Sequence, residues 1–348
     1  MAKKKLLSGL IFFGIGVALI AGLLFKIDID YIAEEVLSFS WGGFLLIVAL
    51  TFLANVIGNF RAWLILRYQD IDIPFWHLLF IWLAGNAFNY TTPFVYVGGE
   101  GVKAYLLNDK YDVPWRKSTS MLIFDRMLEL TASFVVIIIS LTVFVSISGA
   151  SGLASSLISA MVGISILAII FFLVYFRIFR NKKIVEPVLK FLSAHNTRIG
   201  KFLRKAEYDM IGFFDHKSNT MWYAWGLSIL KQVIILVRHI YLIFFLTGQF
   251  HFIASAIALG MLYIGFMVPI PASLGVQEVL QGIGLALFGF TAGQGLALSV
   301  VLRGADIIMV ALGLIVILKY GLGLIADSAR RVLQFNNNGP EEGSENKN

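Results

Sequence analysis

The chain has 348 residues and a net charge of +7, with 58% of its residues hydrophobic and only 14% charged. Soluble domains carry about 25% charged residues, and no polar block here is large enough for a soluble catalytic domain. The positive excess does not point to nucleic acid, because segment 177–219 holds ten Lys/Arg against four Asp/Glu, as the cytoplasmic loop of a membrane protein does.

In chain order, Lys3, Lys4 and Lys5 precede an apolar run over 6–25. About 20 such residues span a bilayer, and a signal peptide has a shorter apolar core. The run is read as an uncleaved first helix with a cytoplasmic N-terminus. Asp28, Asp30, Glu34 and Glu35 then suit the outer face, and 41–66 runs back inward carrying Asn55, Asn59 and Arg61. The apolar run over 75–90 breaks at Pro93, loosens at Gly98 and Gly99, and restarts with Glu100 in the first turn of a new helix. Lys103, Lys110, Arg116 and Lys117 follow and read as cytoplasmic. Segment 75–110 is therefore expected to enter, turn and return as a re-entrant hairpin, since a helix broken at membrane depth is tolerated only against protein or water.

Spans over 118–146 and 153–176 leave both ends of 177–219 inside. Within 198–214, Ile199, Phe202, Leu203 and Met210 fall at helical spacing with Arg198, Lys201, Arg204 and Lys205 between them. This basic amphipathic helix is expected to lie on the anionic inner leaflet. The span over 221–247 carries Lys231 and Arg238 on one face. Segment 252–268 ends in Pro269-Ile-Pro271-Ala-Ser-Leu-Gly275, and Glu278 opens a resumed helix toward Phe290. Gly289 and Gly293 form a GxxxG pair suited to close helix contact. The last span, 293–318, holds Arg303 and Asp306, and Lys319, Arg330 and Arg331 place the C-terminus inside. The polar tail 336–348 has nothing to bury and is expected to be disordered.

Two halves emerge. Arg61, Pro93, Glu100 and Arg126 recur in order and at nearly equal spacing as Arg238, Pro271, Glu278 and Arg303. Three full crossings per half put the halves upside down relative to each other. The expected fold is an all-α polytopic membrane protein, with about six full transmembrane helices plus two re-entrant broken hairpins in an inverted-repeat arrangement. It is one transmembrane domain over 1–335, with half one over 5–147 and half two over 153–320. The chain is expected in the cell membrane with both termini cytoplasmic, and it is compatible with a homo-oligomer.

The stretches NYTTPFVYVGGEGVKAYLL, FDRMLE, PIPASLGVQEVL and LSVVLRGADIIM resemble the lysylphosphatidylglycerol synthase transmembrane region, a flippase-like domain family, and the resemblance covers residues 5–325. It implies an integral membrane protein that moves or accommodates a lipid with a large polar head. Full-length members also carry a soluble aminoacyl-transferase domain, and this chain stops where that domain would begin. Lipid aminoacylation is therefore not carried over. The second break reads Pro-Ala-Ser-Leu-Gly where the family more often shows a Pro-Gly-Gly-like turn.

Ten ionisable residues fall at membrane depth: Arg61, Glu100, Asp125, Arg126, Glu129, Lys231, Arg238, Glu278, Arg303 and Asp306. Each costs roughly 2.5–3.5 kcal/mol to insert, so function is their default reading. The first turns after the two breaks present free backbone N–H groups to an anion, and arginines pair bidentately with phosphate. The candidate substrate-binding set is Arg61, Pro93, Gly98, Gly99, Glu100, Asp125, Arg126, Arg238, Pro271, Gly275, Glu278, Arg303 and Asp306. The competing reading is structural: Arg–Glu pairs that hold the half-helices in place. An intramembrane enzyme would need a nucleophile or metal cluster; the sequence offers no such motif, and its histidines lack metal-ligand spacing. A scaffold would not need so many buried charges. The expected function is transport of a phosphate-bearing lipid between leaflets by alternating access, without cofactor or metal. An aminoacyl-phospholipid, a polyprenyl-phosphate-linked sugar and an ordinary phospholipid all fit that description.

Overall fold

A computed structural model describes residues 39–91, 99–148 and 219–337, with isolated positions between 197 and 211. The first span, the 153–176 span, most of the basic segment, Pro93, Gly98 and most of the C-terminal tail lie outside the described residues. Among the described residues there are eight α-helices and no strand. In order they are α1 (Trp41–Tyr68), α2 (Phe75–Thr91), α3 (Glu100–Tyr111), α4 (Trp115–Ser148), α5 (Thr220–Thr247), α6 (Phe252–Met267), α7 (Val276–Ala286) and α8 (Ala292–Asn337).

Among the described residues, four stretches are long and apolar enough to cross a membrane: Trp41–Tyr68, Trp115–Ile147, Thr220–Thr247 and Ala292–Lys319. They turn apolar side chains outward, among them Leu45, Ile139, Ile229 and Ile315. A soluble protein would bury such faces; a bilayer solvates them. Trp41, Trp76, Trp115 and Trp222 stand exposed within the first three residues of α1, α2, α4 and α5, as aromatic residues do at a membrane–water boundary. Helix α8 runs beyond the expected 318 and reaches Asn337, into the segment read as tail.

Local chemistry sets the ends. The Ser40 hydroxyl accepts from the Gly43 amide at 3.0 Å to cap α1. Gly248, at φ 73°, closes α5 in the left-handed conformation. Between α6 and α7 the backbone turns left-handed three times, at Ala272 (φ 51°), Ser273 (φ 50°) and Gly275 (φ 78°). Non-glycine residues pay about 1–2 kcal/mol each for that conformation.

Helix α1 packs most extensively on α5, α2 on α8, and α4 on α6. The arms of each broken segment also touch, α2 with α3 and α6 with α7. Small residues permit the close crossings, as in membrane helix pairs generally. A Cβ on Gly313 of α8 would strike the Leu83 carbonyl of α2, and one on Gly260 of α6 would strike Ser140 of α4. Gly289 plays no such part. It lies at φ 78° with open space around it, because it belongs to the turn after α7 rather than to a helix face. The close glycine contact in this region is Gly295 against Gly282.

Candidate functional site

Around the first break, a buried charge network ties α1, α3, α4 and α5 together. Arg61, on α1, is 1% exposed. Its Nε donates to Asp125 at 2.7 Å, Nη1 to the Ser228 hydroxyl at 2.9 Å, and Nη2 to Glu129 at 3.2 Å. Asp125 and Glu129 are four apart on α4, so both face α1. Glu129 also receives the Lys231 ammonium of α5 at 2.6 Å and Arg126 Nη1 at 3.5 Å. The other terminal nitrogen of Arg126 holds Glu100, in the first turn after the break. Lys103 Nζ sits 3.2 Å from the same Glu100 oxygen and 4.3 Å above the Trp82 ring.

Lys103, counted in the sequence among the cytoplasmic charges, is not a solvated one. It is fully buried. Two glycines make this possible: a Cβ on Gly85 would collide with the Lys103 stem, and one on Gly99 would collide with the Gly85 carbonyl. Without those side chains α2 and α3 close over the lysine, and Glu100 supplies its counter-charge.

The second half repeats the pattern with fewer charges. Arg303 of α8 pairs with Glu278 of α7, and its Nη1 and Nη2 donate to the Ala272 and Ser273 carbonyls at 2.8 and 3.2 Å. That guanidinium therefore clamps the left-handed turn. Arg238 of α5 lies 3.7 Å from Asp306 and donates to Thr51 of α1 at 3.1 Å. Three ties correspond between the halves. Arg126–Glu100 and Arg303–Glu278 are 26 and 25 residues apart. Arg61–Glu129 and Arg238–Asp306 are both 68 apart. Asn86 donates to Asn55 at 2.9 Å and Tyr263 to Gln232 at 2.5 Å, both across 31 residues.

A cavity of about 210 Å³ opens where the halves meet, with walls from α1, α2, α4, α5, α6 and α8. Three cations, Arg126, Lys231 and Arg238, and two carboxylates, Glu129 and Asp306, line it beside Asn55, Asn86, Asn89, Tyr90 and Tyr263. Of the predicted residues, Arg126, Arg238 and Asp306 thus reach the cavity. Arg61 and Asp125 stand behind its wall. Glu278 and Arg303 sit at the second break, and Arg303 touches the cavity only through the Tyr90 hydroxyl at 3.3 Å. Gly99 is packed on Gly85, and Gly275 supplies the φ 78° residue before α7.

Glu129 and Lys231, known from sequence only as ionisable residues at depth, are central here. The signal for Glu129 was available: FDRMLE and VLRGAD both read Arg-x-x-acid. Two apolar grooves flank the site. One of about 500 Å³ between α3 and α4 has Glu100 and Arg126 at its polar end. Another of about 430 Å³, between α4, α5 and α6, ends at Gln232, the partner of Tyr263. Arg126 lies on both the central cavity and the α3–α4 groove. Among the described residues no group of three or more His, Cys, Asp or Glu is placed to hold a metal ion.

Comparison with known proteins places these features in a family. Residues 11–313 match the model of the lysylphosphatidylglycerol synthase TM region. A UPF0104 membrane protein of Methanocaldococcus jannaschii is 23% identical over 318 residues, covering 87% of this chain and 92% of the relative. Another, of Methanothermobacter thermautotrophicus, is 25% identical over 329 residues, covering 90% and 96%. With an all-helical fold, outward apolar faces and that match over most of its length, the chain belongs to the lysylphosphatidylglycerol synthase TM region family and is a membrane-embedded protein.

Proposed function

We propose that this protein carries a lipid with an anionic, phosphate-bearing head between membrane leaflets, without covalent chemistry. The observation that supports this most is the central cavity, walled by Arg126, Lys231 and Arg238 against Glu129 and Asp306. The surplus cation favours an anion, and the asparagines and tyrosines supply further hydrogen bonds to a head group. Apolar grooves beside the cavity suit lipid tails that stay in the bilayer while the head crosses. In this reading Arg126, Arg238 and Asp306 contact the head, Glu100 and Glu278 position the arginines, and the broken segments shape the path. A phospholipid, an aminoacylated phospholipid and a polyprenyl-phosphate-linked lipid share the phosphate this site would hold.

The mechanism follows from the two-fold correspondence of the ties. Each half supplies a broken segment whose first arm packs on the last long helix of the other half: α2 on α8, and α6 on α4. That exchange suits two inverted halves rocking about α1 and α5, which pack on each other. Both termini then lie in the cytoplasm of a cell-membrane protein, in a single domain of two halves, with the basic segment 198–214 on the anionic inner leaflet. Single cysteines at Asp109, at the end of the first hairpin, and Ala292, after the second, are expected to react with an impermeant reagent from opposite sides. Labelling of both from one side would remove the inverted repeat.

Transport itself is tested in proteoliposomes with head-labelled phosphatidylglycerol, which reports translocation when the label becomes accessible. Lys231→Met removes one wall cation while leaving Glu129 paired with Arg61 and Arg126. Translocation is expected to fall by about ten- to a hundredfold, the effect of losing one charge-assisted contact of about 1.5–3 kcal/mol, with folding intact. A rate equal to wild type would mean that the head group does not use this cavity.

A further inference from the structure

Among the buried positions at which the two halves differ, one lies beside each break. Three residues after the break glutamate, on the same helix face, the first half has Lys103 and the second has Gln281; both are fully buried. Glu100 Oε1 accepts from both Arg126 and Lys103, so that carboxylate carries two cations. Its counterpart Glu278 has Arg303 on Oε1, while Oε2 is buried without a hydrogen-bond partner. Both polar atoms of the Gln281 amide are also buried and unpartnered, so one oxygen is orphaned whichever way the amide is turned. Ser273 Oγ is a third such oxygen. It belongs to the same locus, because Arg303 bonds both the Ser273 carbonyl and Glu278. Buried polar groups in folded proteins are otherwise almost always satisfied.

We propose that Glu278, Gln281 and Ser273 bind a small monovalent cation, in the place that the Lys103 ammonium fills in the first half. The donor chemistry selects the class. The orphaned acceptors are oxygens, which suit hard cations rather than soft transition metals. One carboxylate already paired with an arginine is too little charge for calcium or magnesium, which recruit more carboxylates or phosphates. A cation beside a guanidinium is not forbidden here, since the first half holds Arg126 and Lys103 on a single carboxylate oxygen. Unwound backbone beside a half-helix is also where transporters place coupling sodium ions. One half would thus have a covalently built cation and the other an exchangeable one. The inference rests on the correspondence of the halves, and it concerns binding, so it stands or falls separately from lipid transport.

The test is thermal unfolding of the purified full-length protein in detergent, without added lipid. Sodium chloride replaces choline chloride at constant ionic strength. Saturable binding to the folded state raises the melting temperature, here by about 2–4 °C, the shift that a gain of about fivefold in the folding equilibrium produces in a large domain. Gln281→Lys is expected to melt in choline as wild type does in sodium, and to ignore sodium. Gln281→Leu, which needs no space for a charge, is expected to lose the sodium shift. Equal melting of wild type in sodium, lithium, potassium and choline overturns the proposal, and so does a full sodium shift in Gln281→Leu. A sodium shift in a protein that fails to translocate lipid would overturn the transport reading alone.

Discussion

Arg61→Ala is expected to destabilise the protein by about 3–5 kcal/mol, the cost of leaving a buried carboxylate without its cation. Asp125 is 2% exposed, and Arg61 is the one ion-pair partner found for it among the described residues. Glu129 is better protected, since Lys231 and Arg126 remain on it when Arg61 is lost. The damage therefore concentrates on Asp125 and on Ser228, whose hydroxyl loses its donor. Because α1, α4 and α5 all converge on Arg61, its loss weakens three helices at once. Unfolding in mixed micelles titrated with SDS measures the cost. In the same assay Arg61→Ala/Asp125→Ala should regain stability relative to the single variant, since removing both partners leaves no orphan charge. A single variant within about 0.5 kcal/mol of wild type, the range of neutral surface substitutions, would show that the cluster does not hold the fold.

The outline of this arrangement is legible in the sequence because membrane depth makes charges conspicuous. Arg61, Glu100, Arg126, Arg238, Glu278 and Arg303 stand out against apolar runs. The recurrence of arginine, proline, glutamate and arginine in one order is visible in the sequence alone. That the break glutamates pair with arginines follows from that order, and the structure makes the pairs Glu100 with Arg126 and Glu278 with Arg303. The partner of Arg61 does not follow, because it lies 64 residues away on α4 and three acidic residues compete for it. The burial of Lys103 is hidden in the sequence for a related reason. A lysine one turn after a glutamate looks like a solvated pair, and only the approach of α2 and α3 at Gly85 and Gly99 shows the space that encloses it. The cross-packing of α2 on α8 and α6 on α4 is likewise a property of surfaces, set by where Gly313 and Gly260 let backbones meet.

The same geometry separates two arginines that the sequence treats as equals. Arg126 and Arg303 both pair with a break glutamate, but their losses are expected to differ in kind. Removing Arg126 leaves every carboxylate it touches with a cation: Glu100 keeps Lys103, and Glu129 keeps Arg61 and Lys231. Arg126→Ala should therefore melt within a few degrees of wild type. It should lose translocation by about a hundredfold, because a bidentate phosphate contact in a low-dielectric cavity is worth about 3 kcal/mol. Removing Arg303 leaves Glu278 with no side-chain cation among the described residues and releases the Ala272 and Ser273 carbonyls it clamps. Arg303→Ala should lose about 3–5 kcal/mol of stability, with transport failing because the break unfolds. Melting curves and translocation rates on the same preparations distinguish the two. A stable Arg303→Ala that has lost transport would place the head group at the second break instead. A stable Arg126→Ala that transports normally would remove the central cavity from the path.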